Sequence, residues 1–441
     1  MLKHFGTDGV RGVALVSLTE TMAYRIGRSV GHMARSQGKP VLVCEDTRLS
    51  SETLKTSLLN GLLKSGATVY DAEVSTTPSV SYLVRLKNFS YGVMISASHN
   101  PYQDNGIKVF NGAGEKLEDA KEEIIEAYMD KKDDDLPTAP GELLSGETLK
   151  EEYLSWLASK AMGHYENLRI LVDCANGSAS ALAPSLYAKL GLNATFINRE
   201  PNGKNINDHC GSTHLEGLRE KFLAGGFDLA FAFDGDGDRF MAYGSKGRLI
   251  DGDALIFLGA LSYRNKGLLK KNSVVITVMS NFGLRKALEE EKLLYRTVTV
   301  GDKNVQQELK KERLSLGGEQ SGHVIFLDDL NTGDGLLSSI KLLDIFAHEP
   351  DIYQKIDEFL VYPQILKNVR FETKEALERA SGNPKLTAFV KEEERSLKGH
   401  GRLLVRPSGT EPLLRVMAEA LNAKECERVV EDTLSFIKEN H

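Results

Sequence analysis

Cysteine is scarce in this 441-residue chain, with four residues at 44, 174, 210 and 426 and no CxxC pair among them. Cys44 and Cys174 lie in apolar, strand-like runs and read as reduced core residues. Cys210 has His209 beside it and His214 nearby, but that spacing fits no common structural zinc site. Positive charge is also short: 55 Lys and Arg against 62 Asp and Glu leave a net charge of −7. That argues against a nucleic-acid binder, which carries a basic footprint. Small anions remain open as ligands, because a few local Arg and Lys side chains suffice to bind a phosphate. No apolar run approaches the ~20 residues of a membrane span, and no signal-peptide core precedes Phe5. The expectation is a soluble, cytoplasmic protein that binds neither nucleic acid nor membrane. The single tryptophan, Trp156, reads as core rather than as a ligand platform.

Length suggests about three domains. Helical spacing over 19–37 stops at Gly38-Lys39-Pro40, and 41–44 reads as a buried strand. A helix capped by Ser50 or Ser51 runs to 64, followed by strands at 69–74 and 91–95. Alternating strands and helices of this kind predict a mostly parallel sheet. Residues 133–146 mix acid, Pro and Gly and read as the clearest linker. Two further runs of strand, glycine-marked loop and helix follow, over 168–255 and 274–318, which suggests three related α/β units. Strands at 367–371, 402–406 and 415–418 and helices at 374–380, 384–397 and 423–438 predict a small α+β domain at the carboxyl end.

Two strand ends carry the chemistry. The run 91–110, YGVMISASHNPYQDNGIKVF, goes from a strand into small polar residues and stops at Pro101, which holds Asn100 out of helix. Ser98 therefore lies on a loop just past the carboxyl end of a buried strand, where open α/β sheets bind ligands. The run 228–239, DLAFAFDGDGDR, ends a second strand in Asp234, Asp236 and Asp238, with glycines at 235 and 237 that let the backbone curl. Three hard oxygen donors without His or Cys suit Mg²⁺ or Ca²⁺. An EF-hand loop is excluded, because Arg239 and Ser245 stand where it needs Gly and Glu. A serine hydrolase built on Ser98 and His99 lacks the G-x-S-x-G elbow and leaves the aspartates unused. A metal-dependent phosphatase uses the aspartates but gives the later motifs less to do. A sugar-phosphate sensor needs no serine beside a metal site.

Those later motifs are GEQSGH at 318–323 and RPSGTEP at 406–412. In the second, an Arg fork, two hydroxyls and a glycine-opened backbone supply phosphate donors. Together with FGTDGVRG at 5–12, these motifs resemble the α-D-phosphohexomutase superfamily across essentially the whole chain, and within it the bacterial phosphoglucosamine mutases. The resemblance implies three related mixed α/β units and a smaller carboxyl-terminal α+β domain around a central cleft. The implied domains are 1–150 (phosphoserine), 151–255 (metal), 256–367 (sugar recognition) and 368–441 (phosphate).

The resemblance also implies a mutase that interconverts glucosamine 6-phosphate and glucosamine 1-phosphate for cell-wall precursor synthesis. Ser98 is then a phosphoserine that gives and takes the phosphoryl group and, with Asp234, Asp236 and Asp238, holds Mg²⁺. Arg239 is placed to reach the transferring group, while Arg11, Lys108 and His323 are candidates for acid/base help. Glu319 and Ser321 recognise sugar hydroxyls, and Arg406, Ser408, Gly409, Thr410 and Arg415 hold the phosphate that does not move. A hexose 1,6-bisphosphate is the implied intermediate and activator, and sugar phosphates are the partners; a homodimer stays open. Lys303 departs from the pattern, because many relatives carry Arg there, and Lys lacks the bidentate fork.

Overall fold

A computed structural model describes residues 3–6, 8–408 and 412–440 of the chain. Among the described residues nineteen strands fall into four sheets, and three of these belong to one compact unit, residues 3–278 with 294–356.

The first sheet contains β1 (Phe5–Gly6), β2 (Gly9–Val13), β3 (Val41–Glu45), β4 (Thr68–Val74), β5 (Tyr91–Ile95), β6 (Asp104–Asn111) and β7 (Glu142–Ser145), in the order β1-β2-β6-β5-β3-β4-β7. Its centre is parallel, because β3 lies between β4 and β5 with all three aligned, but β1, β2 and β6 join antiparallel, so the sheet is mixed rather than mostly parallel. Both β3 and β5 are buried throughout, as strands covered on both faces must be. The glycine-rich opening is not a loose segment. It forms β1 and β2, and β2 pairs antiparallel with β6, so that Arg11 faces Gly106. Helix Glu20–Gln37 starts at Thr19, whose hydroxyl accepts from Met22 N, and ends at Gly38 with φ +64°, a left-handed cap that glycine adopts without a Cβ penalty. The expected linker is partly structured too: β7 adds to β4 in parallel register, and Asp134 is bound by the fully buried Arg28.

The second sheet runs β12-β11-β10-β8-β9, from β8 (Arg169–Asp173), β9 (Asn193–Ile197), β10 (Leu229–Phe233), β11 (Phe240–Gly244) and β12 (Arg248–Ile250). The fully buried β10 delivers the aspartate loop. The third runs β14-β13-β15-β16, from β13 (Ser273–Thr277), β14 (Leu294–Val298), β15 (Leu316–Gly318) and β16 (Val324–Phe326). The turn between β15 and β16 carries GEQSGH. Trp156 stacks on Tyr82 with ring centroids 4.2 Å apart, so it serves packing. All four cysteines are buried and free.

The other compact unit comprises residues 279–293 and 357–440. Its sheet is β17 (Gln364–Arg370), β19 (Leu413–Ala420) and β18 (Gly401–Pro407), antiparallel with β19 central. Helices Lys374–Ser381, Pro384–Ser396 and Ala423–Glu439 complete it around a core that includes Leu403, Val416, Val429 and Leu434. Helix Phe282–Glu290 is tied to this sheet through the buried Glu419, which accepts from Phe282 N at 3.0 Å and from Arg402 Nε at 2.5 Å.

Candidate active site

Ser98 follows β5 by three residues and is 2 % exposed. Its φ is +54°, a left-handed conformation that costs a non-glycine residue free energy and persists only where the surroundings enforce it. Its Oγ donates to Asp234 Oδ2 at 2.6 Å. The sequence neighbour His99 is no partner of comparable quality, since its Nδ1 lies 3.4 Å away.

Asp234, Asp236 and Asp238 each place a carboxylate oxygen within 4.8 Å of the others, and all three are buried. The two glycines between them act differently. Gly237 has φ +71° and makes the curl. Gly235 allows close approach, because a Cβ there would sit 2.5 Å from Ser98 O. Burial, reinforced by Asp238 and Asp236, pushes the Asp234 carboxyl well above the usual carboxylate range. For Asp236 burial also acts upward but is outweighed by Lys108 and Thr77, and its carboxyl is held low. Asp236 Oδ1 and Asp238 Oδ1 are buried without a hydrogen-bond partner. Buried acceptors are normally satisfied, so two orphaned carboxylate oxygens beside a third acid fit a hard divalent cation. His209 is almost fully exposed, whereas Cys210 is buried and its thiol is pushed up to about 12 by burial. Among the described residues the aspartate triad is the one cluster fit for a metal.

Lys108 is 1 % exposed and its ammonium lies 2.8 Å from Asp236, 3.0 Å from Asp8 and 4.0 Å from Asp238. Burial opposes the charge, but these carboxylates win and hold Lys108 cationic. Asp8 also pairs with Arg11 and with Lys116 at 2.6 Å, and Lys116 bridges on to Asp302 at 2.6 Å.

A cavity of about 410 Å³ opens on this cluster, and Arg11, Ser98, Asp238, Arg239, Glu319 and His323 are in its wall, together with Asp8, His99 and Asp302. Arg239 is half-buried beside Asp234, Asp238 and Glu319, which outweigh its desolvation and raise its pKa. Glu319 Oε1 accepts from Gly301 N at 2.9 Å. His323 Nδ1 faces Asp238 at 3.5 Å, and its Nε2 accepts from Gly333 N at 2.9 Å. Burial opposes a charge on this ring, while Asp238, Asp302 and Glu319 raise its pKa to about 9. The Gly333 contact works against that, because only a neutral imidazole can accept at Nε2. Neutral His323 with its proton on Nδ1 satisfies both neighbours.

The structure thus brings together Ser98, the three aspartates, Arg11, Lys108, Arg239, Glu319 and His323. Ser321 is half-buried on the same turn as Glu319, outside the cavity wall. Gln320 donates to Asp251 Oδ2 at 3.3 Å, and Lys303 binds Asp119 at 2.7 Å, so neither lines the cavity. Asp302, next to Lys303, does. Sequence alone does not single out Asp302, Asp8 or Lys116, although Asp8 stands inside the opening motif at 5–12. Arg406 and Arg415 belong to the carboxyl-terminal sheet, where they are directly opposed on β18 and β19. Like charges so placed repel, and burial with Arg415 lowers the pKa of Arg406. Arg415 Nε is buried without a partner, which fits an anion between the two. Ser408 N donates to Leu413 O at 2.8 Å, while Gly409 and Thr410 lie outside the described residues.

Comparison with known proteins adds the following. The chain matches four phosphoglucomutase/phosphomannomutase domain descriptions in succession: alpha/beta/alpha domain I over 2–135, domain II over 151–247, domain III over 251–362 and the C-terminal domain over 366–435. It is 44 % identical over 449 residues to a phosphoglucosamine mutase of Brevibacillus brevis, covering 100 % of this chain and 99 % of that one. Among solved structures, a phosphoglucomutase/phosphomannomutase family protein of Burkholderia thailandensis superposes with TM-score 0.83 at 23 % identity, over 100 % of this chain and 99 % of that one. An Aspergillus fumigatus N-acetylphosphoglucosamine mutase, solved with GlcNAc-6P and magnesium, gives TM-score 0.72 at 19 % identity over 100 % and 96 %. These structural likenesses carry the fold. No helix among the described residues is long and apolar enough to cross a membrane.

Proposed function

The chain belongs to the phosphoglucomutase/phosphomannomutase family, and from that membership we propose that it interconverts glucosamine 6-phosphate and glucosamine 1-phosphate in the cytoplasm, supplying UDP-N-acetylglucosamine and cell-wall precursors. The observation that carries the mechanism is Ser98 Oγ at 2.6 Å from Asp234, in a buried aspartate cluster with two orphaned oxygens. A phosphoserine at 98 brings a charge of about −1.5 to −2 into this site. Asp234, Asp236, Asp238 and a phosphoserine oxygen would hold Mg²⁺, which offsets that charge and polarises phosphorus.

The sugar hydroxyl attacks the phosphorus of phospho-Ser98, the bond to Oγ breaks, and the hydroxyl proton passes to a base. The resulting bisphosphate turns over, and its other phosphate returns to Oγ, with the proton going back to the freed sugar oxygen. Arg239 and Arg11 stabilise the transferring group from the cavity wall. Of the three acid/base candidates, His323 is the one with partners for both protonation states, Gly333 N for the neutral ring and Asp238 for the charged one. Lys108 is locked as a cation and orients Asp236, and Arg stays protonated. Glu319 and Ser321 bind sugar hydroxyls in either orientation, and Arg406, Ser408, Gly409, Thr410 and Arg415 hold the resting phosphate.

Intact-mass measurement combined with kinetics tests this reading. The expected results are a partial phosphate adduct on Ser98, loss of turnover in Ser98→Ala, and a higher kcat/KM for glucosamine phosphates than for glucose or mannose phosphates. A clear preference for mannose or glucose would refute the substrate, and an active Ser98→Ala protein the mechanism.

A further inference from the structure

The left-handed backbone of Ser98 needs something to enforce it, and no residue of the site so far described does so. The Arg48 guanidinium does. Arg48 is 3 % exposed, and all five of its N–H groups are spent within the fold. Nε donates to Asp46 Oδ2 at 2.8 Å. Nη1 donates to Pro101 O at 2.5 Å and Asp104 O at 3.1 Å, and Nη2 to Ser98 O and Asn100 O, both at 2.8 Å. Four carbonyls of the seven-residue segment 98–104 thus converge on one planar cation, and the first belongs to Ser98 itself. From the second α/β unit, Asn207 Nδ2 donates to the same two carbonyls, Ser98 O at 2.9 Å and Asn100 O at 3.1 Å. Asp46 closes the circuit, because it accepts from Ser96 Oγ at 2.5 Å, and Ser96 Oγ accepts from Ser98 N at 3.0 Å.

We propose that Arg48 and Asn207 are positioning residues for the phosphoryl transfer, a two-sided clamp that fixes the Ser98 carbonyl and so aims Oγ at the aspartate cluster. The inference rests on the reading of Ser98 as the phosphoryl carrier. Neither side chain touches the sugar cavity, so neither contributes to ground-state binding of substrate. The clamp acts on geometry alone, and misplacing a reacting group by about 1 Å costs on the order of 100-fold in rate. Lysine cannot replace Arg48 fully, because one ammonium has no planar fork to reach four carbonyls. The loop 201–211 thereby presents Asn207 to a loop of another sheet.

The test compares Arg48→Lys, Asn207→Ala and the double variant with wild type, using the full-length, Mg²⁺-loaded protein. Each single variant is expected to lose at least about 10-fold in kcat, with KM within about 3-fold, Ser98 still phosphorylated by intact mass, and an unchanged far-UV spectrum. Because both side chains act on the same two carbonyls, the double variant should lose less than the product of the single losses. Asn207→Ala, in the connecting loop 201–211, carries the test should Arg48→Lys fail to fold. A folded single variant with kcat within 2-fold of wild type, or a loss confined to KM, would overturn the clamp. An active Ser98→Ala protein would instead overturn the phosphoserine reading, and the clamp with it.

Discussion

His99 shares its loop with Ser98 but faces a different set of neighbours. Burial, followed by the Arg239 and Arg11 guanidinium groups, pushes its pKa down to about 4, so it is neutral at neutral pH. The folded value lies below the unfolded one, near 6.5, so between pH 6.5 and 4 the unfolded chain takes up a proton that the folded chain refuses. Stability is therefore lost as pH falls through that window. The amount is about 2 kcal/mol, discounted for the partial exposure of the ring. Asp334 works in the opposite sense. Burial raises its carboxyl to about 6, so its contribution falls as pH rises from about 4 to 6. The clean measurement is accordingly a difference: thermal melts of wild type and His99→Gln, expected to converge toward pH 4 and to separate in favour of wild type above pH 6.5. Parallel melting curves would show that His99 is not held neutral.

Among the elements, the aspartate loop after β10 is matched to the serine loop after β5 by the absence of one side chain. Gly235 has no Cβ, and one placed there would lie 2.5 Å from Ser98 O and 2.8 Å from Asn207 Nδ2. Gly235→Ala should therefore push the two loops apart and cost at least about 10-fold in kcat with the fold retained, as read by steady-state kinetics beside circular dichroism. Unchanged kcat would mean that the loops yield without consequence. This contact was invisible in the sequence, which shows a glycine suited to a curl and says nothing of the neighbour it admits. What was legible follows from periodicity and strand ends: β3, β4, β5, β10 and the carboxyl-terminal helices all lie close to where apolar runs and caps put them. The antiparallel β2–β6 pair was not, since Gly9–Val13 is short and glycine-rich and owes its extended form to a partner about a hundred residues on. Asp302 was missed for a related reason: Lys303 drew attention as the odd residue, while the carboxylate beside it turned inward.

Across the whole molecule, the chain divides into two compact units with unlike charge environments. The larger concentrates buried carboxylates balanced by Lys108, Lys116 and Arg239. The smaller opposes Arg406 to Arg415 across one sheet, with no carboxylate among the causes that shift Arg406. Arg406→Ala should raise KM for the sugar phosphate by about 10- to 100-fold, the equivalent of a charge-assisted hydrogen bond of ~1.5–3 kcal/mol. The melting temperature without ligand should hold or rise, because a repulsion is relieved. An unchanged KM would move phosphate binding elsewhere.

The last strand of the first sheet also bears on how the molecule is made. β7 follows helix Asp119–Met129 in the chain and covers the outer edge of β4, an edge that would otherwise be open to pairing with other chains. On the ribosome that edge stays bare until Ser145 has emerged. The capping strand then arrives with the advancing chain, before Arg169–Asp173, the first strand of the next sheet, has emerged. Emergence and edge protection thus run in the same order, and the first sheet is sealed before a second set of strands emerges to mispair with it.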